Sequence, residues 1–207
     1  FLPLSFALKT AKELGASNVG LVVPYLPYMR QDKQFLPGEA VTSKYFSKML
    51  SESIDWLVTI DPHLHRHQSL SEIYSATSYV LHATSPISNW IQQHVSSPLI
   101  IGPDSESEQW VAEIANAIKA PFQVLKKVRK GDREVEITFP NLDQYKDLTP
   151  VLVDDIISTG TTLIETIKHL KEIKMKPAVC IGVHAVFSHH AYENIFDAGA
   201  KSVFTTN

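Results

Sequence analysis

The chain has 207 residues, of which 44% are hydrophobic, so it can bury one large core or two small ones. Its formal net charge is −3, which does not fit the basic surface expected of a nucleic-acid-binding protein. No apolar run is long enough to span a membrane, and the first residues lack the pattern of a signal peptide. The single cysteine, Cys180, lies in an apolar run and cannot form an intrachain disulfide. We therefore expect a cytoplasmic protein.

Helix-like and strand-like segments alternate along the chain. The first helix is predicted to end near Gly15, and the apolar run 19–23 is predicted to be a buried parallel strand. Further helices are predicted near residues 41–50, 85–95, 105–118, 162–170 and before 199, and further strands near 54–60, 98–101, 122–125, 151–153, 178–185 and 202–207. This alternation predicts an α/β fold with mostly parallel sheets flanked by helices.

A polar break near residues 83–85 is the best candidate for a domain boundary. Ser85 and Pro86 are typical of a helix N-cap and first helical residue. We therefore predict domains at 1–84 and 85–207. Both chain ends are expected to be truncated, because there is no initiator Met and the last strand-like run has nothing after it.

Two polar segments follow the first two predicted strands. In the first, Arg30 could form a forked contact with phosphate oxygens and Gln31 could reach a nucleotide, or the loop could simply hold a local Arg–Asp pair. The second begins at Asp61 and places histidines at 63, 65 and 67. Such a run is compatible with a transition-metal site, with the metal site of a larger (β/α)₈ amidohydrolase, or with a solvated turn.

Two further segments carry charge after later strands. Asp104 follows Gly102-Pro103 at the start of a helix whose first turn is acidic, and acidic residues are favoured there. Residues 126–137 are dense in charge around a Gly131-Asp132 turn. They predict either an exposed, mobile hairpin or a solvated charged loop.

Residues 151–162 are the most informative stretch of the chain. An apolar strand runs into Asp154 and Asp155, then into a small polar loop with Gly160, and then into a helix. Such a loop directs backbone N–H groups toward an anion at the helix N-terminus, and glycine permits a close approach. Thr162 and Glu165 fit a capping box. The carboxylates suit hydroxyls or a metal, so the stretch indicates a sugar phosphate.

These segments resemble, in order, those of the phosphoribosyl-diphosphate (PRPP) synthetase family, and residues 151–162 resemble its PRPP-binding motif, which type I phosphoribosyltransferases share. The resemblance implies two phosphoribosyltransferase-like domains: an incomplete ATP and metal side at 1–84, and a ribose 5-phosphate side at 85–207 with a catalytic flap at 126–138. The chain departs from the common pattern at 105–109, where many members carry Gly-Gly.

The resemblance also implies individual roles. It assigns ATP binding to Arg30 and Gln31, metal binding to His63 and Asp104, catalysis to Lys127 and Arg129, and ribose 5-phosphate binding to Asp154, Asp155, Ser158, Thr159, Gly160, Thr161 and Thr162. His65 and His67 gain no role from it, and Lys126 is an alternative to Lys127 if the flap register differs by one residue.

The implied activity is ribose-phosphate diphosphokinase, which uses ATP, ribose 5-phosphate and Mg²⁺. A homo-oligomer is expected, with the nucleotide site near a subunit contact, and no nucleic-acid or membrane partner. Two alternatives remain: a phosphoribosyltransferase that uses PRPP and a nucleobase, and a non-catalytic regulatory subunit of the same fold.

Overall fold

The computed structural model describes residues 1–130, 134–138 and 140–206; for Glu106 and residues 126–130 and 134–138 it describes the backbone only. The chain divides into two compact units, unit 1 (Phe1–His82) and unit 2 (Ala83–Asn207). Each contains a parallel sheet with helices, which confirms the predicted α/β class. Within the described part of the chain, none of the helices is both long enough and apolar enough to cross a membrane.

Unit 1 is built on a three-stranded parallel sheet with the order β1-β2-β3. Its core includes Leu26, Leu50, Leu57 and Tyr74, all nearly inaccessible to solvent. Gly15 follows the first helix with φ of 98°, which confirms the predicted terminating glycine. The elements are α1 (Leu2–Glu13), β1 (Gly20–Val22), α2 (Thr42–Ser51), β2 (Trp56–Ile60) and β3 (Thr77–Leu81).

The outer strands of unit 1 differ from the prediction. The predicted buried strand at 19–23 is shorter in the structure, and Val22 is 65% exposed. Strand β3 was not predicted, because it begins Thr77-Ser78 and exposes every second residue, so it lacks a continuous apolar run. Both strands are edge strands of this sheet, which explains their greater exposure.

Unit 2 is built on a five-stranded parallel sheet with the order β10-β9-β8-β4-β5. Its inner strands are largely buried, as expected for a sheet covered on both faces. The elements are α3 (Thr84–His94), β4 (Pro98–Gly102), α4 (Glu108–Ile118), β5 (Phe122–Val124), β6 (Lys126–Lys130), β7 (Glu134–Thr138), β8 (Thr149–Ile157), α5 (Thr161–Glu172), β9 (Val179–Ala185), α6 (Ala191–Ala198) and β10 (Ser202–Thr205).

Several predicted boundaries in unit 2 shift by a few residues. Helix α3 begins at Thr84 with Ala83 as its N-cap, so Pro86 lies inside the first turn instead of opening the helix. A 3₁₀ turn occupies Ser105–Ser107, and Ser107, not Ser105, is the N-cap of α4. These differences are local: α3 still buries Ile87 and Ile91, and α4 buries Val111 and Ile114.

Candidate functional site

The two aspartates of residues 151–162 lie within a strand and not after it. Strand β8 continues to Ile157, and Asp154 pairs with Gly182 of β9. Both aspartates are half-buried. Because consecutive strand residues project to opposite faces of a sheet, the two carboxylates are offered to different faces.

Gly160 closes the turn between β8 and α5. Its φ is 68°, in the left-handed region that favours glycine, and it is the N-cap of α5. A Cβ at this position would lie 3.0 Å from Ile195 Cδ1, so a larger residue would also crowd that side chain. The predicted Thr162–Glu165 capping box is wrong: among the described residues, no side chain caps α5.

The 158–162 loop is held by hydrogen bonds of its own and by one from the loop that follows β9. Thr161 Oγ1 and Thr159 Oγ1 are 3.0 Å apart, and Thr161 N donates weakly to Thr159 Oγ1 at 3.5 Å. Ser188 N donates to the Ser158 carbonyl at 3.1 Å. Thr161 N already contacts Thr159 Oγ1, but the N-cap Gly160 has no side chain to cap the helix, so the dipole of α5 and the backbone donors after Thr161 can receive an anion.

Ser188 is a residue that sequence reasoning missed. Its backbone, in the loop after β9, fixes the 158–162 loop, and its Oγ is buried with no hydrogen-bond partner in the described part of the chain. The sequence contains no signal for this role, because the contact is made by a backbone amide 30 residues away from Ser158.

Asp104 follows the neighbouring strand β4 and is half-buried. Its carbonyl accepts hydrogen bonds from Ser107 N at 3.2 Å and Ser107 Oγ at 2.6 Å. Ile101 of β4 pairs with Leu152 of β8, and Asp104 and Asp155 each stand three residues beyond that pair. The structure therefore brings Asp104 and the aspartates of β8 to the carboxyl edge of one sheet.

The predicted flap contains an antiparallel strand pair. In its register Lys127 is opposite Ile137 and Arg129 is opposite Val135. Lys127 and Arg129 thus stand two residues apart on one strand, as predicted for a hairpin. The side chains of both, and the predicted Gly131-Asp132 turn, lie outside what the structure describes.

In unit 1, the loop that carries Arg30 and Gln31 is fastened to the end of β2. The Pro24 carbonyl accepts hydrogen bonds from Thr59 Oγ1 at 3.0 Å and Ile60 N at 3.1 Å. Arg30 is exposed and Gln31 is half-buried. The start of this loop is therefore anchored at the carboxyl end of β2, and Arg30 farther along it is exposed.

Asp32 does not make the local pair that the sequence left open. Its Oδ2 accepts a hydrogen bond from Arg66 Nη1 at 2.8 Å, across 34 residues of sequence. The Asp32 side chain is 1% exposed, whereas that of Arg66 is 35% exposed. The pair joins the loop after β1 to the loop after β2.

His63 lies on a backbone that few residues adopt. Its φ is 56° and that of Asp61 is 38°, and His63 N donates to the Asp61 carbonyl at 3.0 Å. Non-glycine residues with positive φ cluster at functional sites. The rings of His63 and His65 meet edge to face with centroids 4.0 Å apart, and Asp61 Oδ1 lies 2.7 Å from His82 Nδ1.

His67, farther along the same loop, contacts Glu72. Its Nδ1 lies 2.9 Å from Glu72 Oε2, and Gln68 N donates to Glu72 Oε1 at 3.0 Å. These two contacts hold the pKa of Glu72 below its usual value, with the His67 contact the larger cause. His67 therefore fixes the end of this loop by its contact with Glu72.

Two family models match the chain. The model of the phosphoribosyl transferase domain matches residues 69–207, and that of the N-terminal domain of ribose phosphate pyrophosphokinase matches residues 1–53. The ribose-phosphate pyrophosphokinase of Methanobrevibacter smithii is 31% identical over 218 aligned positions, which cover 100% of this chain and 72% of the relative. That of Saccharolobus solfataricus is also 31% identical, and the match covers 100% of this chain and 70% of the relative.

A solved structure shows the same fold. The phosphoribosylpyrophosphate synthetase of Mycobacterium smegmatis superposes with a TM-score of 0.84 at 22% identity, covering 100% of this chain and 67% of that chain. Together with the two family models, these relatives show that the chain belongs to the ribose-phosphate pyrophosphokinase family, whose second part is a phosphoribosyl transferase domain.

Proposed function

We propose that the protein is a ribose-phosphate diphosphokinase, which transfers the β,γ-diphosphoryl group of ATP to the C1 hydroxyl of ribose 5-phosphate. The products are PRPP and AMP. One observation carries this proposal: Asp154 and Asp155, in the second half of β8, lead through a left-handed Gly160 into the N-terminus of α5, whose N-cap residue makes no side-chain cap. This arrangement suits an anion beside a polyol.

Unit 2 binds ribose 5-phosphate in this proposal. The 158–162 loop receives the 5-phosphate on its backbone N–H groups and on the hydroxyls of Ser158, Thr159, Thr161 and Thr162. Asp154 and Asp155 hold the ribose hydroxyls or a metal bound to them. Their half-buried position supports this role, because hydrogen bonds to charged groups strengthen as water is excluded.

Unit 1 binds ATP. Arg30 is exposed and contacts the phosphates, and Gln31 beside it contacts the nucleotide. Lys127 and Arg129 of the flap act on the transferring diphosphoryl group, where charge stabilisation and positioning supply most of the catalysis.

Mg²⁺ is the proposed metal. Asp104 and Asp155 supply carboxylate oxygens at one sheet edge, and hard cations prefer oxygen ligands. In unit 1, His63 is the proposed metal ligand on the ATP side. When bound, Mg²⁺ neutralises charge on the phosphate oxygens and orients them.

The transfer makes one bond and breaks one. The C1 oxygen of ribose 5-phosphate bonds to the β-phosphorus of ATP, and the bond from that phosphorus to the α,β-bridging oxygen breaks. AMP leaves with the bridging oxygen, and the proton of the C1 hydroxyl is released to solvent. We assign no side chain as general base, so the hydroxyl is activated by orientation in the site.

The assay is the formation of AMP from ATP, measured with and without ribose 5-phosphate and Mg²⁺. AMP should form only when both are present. Release of diphosphate from PRPP with a nucleobase, in the absence of AMP formation, would instead identify a phosphoribosyltransferase.

We further propose that the protein is a homo-oligomer with the nucleotide site near a subunit contact. The exposed apolar side chains of unit 1, among them Val22, Tyr79 and Leu81, support an association surface on that unit. Light scattering should give a mass of at least a dimer, and a fully active monomer would contradict the proposal.

A further inference from the structure

The buried carboxylate of Asp32 is the strongest feature that the proposed reaction does not use. Its side chain is 1% exposed, yet it directly follows Arg30 and Gln31, the two proposed ATP contacts. Burying a charge is costly unless it is paired. Asp32 Oδ2 pairs with Arg66 at 2.8 Å, while its Oδ1 has no partner in the described part of the chain.

Arg66 belongs to the loop that carries His63. That loop is fixed at both ends, because Asp61 N donates to the Leu81 carbonyl at 3.1 Å and His67 and Gln68 contact Glu72. Arg66 therefore extends from a loop anchored independently of Asp32. The pair joins the loops that follow the neighbouring strands β1 and β2, within unit 1.

The geometry of the Asp32–Arg66 pair suits a role in positioning neighbouring residues better than a role in fold stability alone. An exposed ion pair contributes little, but removal of one partner of a buried pair leaves an uncompensated charge. Here the exposed partner is Arg66 and the buried one is Asp32, so loss of Arg66 would displace Asp32 and with it the adjacent Arg30 and Gln31.

We propose that the Asp32–Arg66 pair is a positioning device that sets the ATP contacts at Arg30 and Gln31 and the metal contact at His63 in one fixed arrangement. The inference rests on the proposed function for the identity of those contacts. Loss of the pair therefore weakens ATP binding and the Mg²⁺ response together, and leaves ribose 5-phosphate binding unchanged.

The experiment compares the variants Arg66→Ala, Arg66→Lys and Asp32→Asn with the wild-type protein. The matched control is Lys12→Ala, which removes another long-range pair of unit 1: Lys12 and Asp55, 3.2 Å apart, with Asp55 immediately before β2 at the opposite end of that strand. Asp55 itself is kept, because it also accepts a hydrogen bond from Val19 N.

Four quantities are measured for each variant: KM for ATP, KM for ribose 5-phosphate, the Mg²⁺ concentration for half-maximal rate, and melting temperature. Arg66→Ala should raise the ATP and Mg²⁺ values by roughly tenfold or more, as expected for misplaced binding groups. Arg66→Lys, which keeps the charge, should restore much of the loss. Lys12→Ala should leave all three kinetic values unchanged.

Binding of ATP with Mg²⁺ is also followed by calorimetry, without ribose 5-phosphate, so that the outcome does not depend on turnover. Weaker binding to Arg66→Ala than to Lys12→Ala supports the inference. Equal ATP affinity in those two variants overturns it, as does an equal rise in both KM values that tracks the fall in melting temperature. A wild-type protein that binds ATP but makes no AMP contradicts the proposed activity and leaves the affinity comparison to decide the inference.

Discussion

The two units present their candidate ligand contacts in different ways. In unit 2 the 158–162 loop is short, and its geometry is set by backbone: a left-handed Gly160, the start of α5 and an amide from Ser188. In unit 1 the contacts lie on long loops after β1 and β2, and a side-chain ion pair between Asp32 and Arg66 joins them. The loop in unit 2 therefore requires a residue that can adopt positive φ at position 160. The loops in unit 1 require two charged residues that lie far apart in the sequence.

This difference predicts how the two regions respond to substitution. A backbone-made anion site tolerates many polar side chains but not the loss of its glycine. A side-chain-made site tolerates backbone variation but not the loss of a charge partner. The predictions below test that contrast.

The largest effect is expected at the flap, which belongs to neither arrangement. Lys127→Ala should lower kcat by roughly 10²-fold or more, because a lost electrostatic stabiliser acts mainly on the transition state. KM for ATP and melting temperature should change far less. Steady-state kinetics gives kcat and KM, and a thermal melt gives the melting temperature.

Lys126→Ala is the control for that prediction and should be mild. If Lys126→Ala is the damaging change and Lys127→Ala is silent, the flap register is wrong by one residue. If both are silent, residues 126–138 are a solvated charged segment and the catalytic assignment is wrong.

Gly160→Ala tests the backbone-made site. The added Cβ would approach Ile195 Cδ1 at 3.0 Å on a backbone with φ of 68°. We expect KM for ribose 5-phosphate to rise between roughly 10-fold and 10²-fold, because the loop donors move, while KM for ATP stays constant.

Gly199→Ala is the matched control, since Gly199 also has positive φ, at 116°, but lies at the end of α6 with its nearest neighbours 3.8 Å from the added Cβ. It should cost about 1 kcal/mol of stability and leave both KM values unchanged. Equal effects of the two substitutions on KM for ribose 5-phosphate would contradict the proposal that the 158–162 loop binds this substrate.

Arg30→Ala tests the side-chain-made site. Hydrogen bonds to a charged group contribute about 1.5–3 kcal/mol, so KM for ATP should rise roughly tenfold or more with KM for ribose 5-phosphate unchanged. Lys33→Ala, which removes a neighbouring exposed cation that lies 5.0 Å from the Phe35 ring, should be silent. An equal loss in both variants would indicate a general charge effect instead of a specific contact.

The sequence predicted the fold class and the motif around Gly160 because both depend on short-range patterns. Alternating apolar runs predicted parallel sheets, and Asp-Asp followed by a small polar loop predicted the strand-to-helix turn. It failed where local preference competed with tertiary packing: Thr162 fits a capping box, but Gly160 caps α5. The Asp32–Arg66 and Ser188–Ser158 contacts could not be predicted, since nothing local specifies a partner 30 or more residues away.

The smallest effect is expected at Cys180, in the core of unit 2. Burial raises the pKa of its thiol to about 12, so the thiolate is scarce at neutral pH. A thiol reagent should label it slowly in the folded protein and fully after unfolding, with activity unchanged until unfolding begins. Fast labelling at neutral pH would show that the sheet around β9 opens far more readily than its buried strands imply.

The fate of the β-phosphate tests the central claim most directly. ATP labelled at the β-phosphorus is incubated with the protein, ribose 5-phosphate and Mg²⁺, and the products are separated. Diphosphoryl transfer places the label in PRPP and leaves unlabelled AMP. Label recovered in ADP would show transfer of the γ-phosphoryl group alone, as in an ordinary sugar kinase, and would contradict the account.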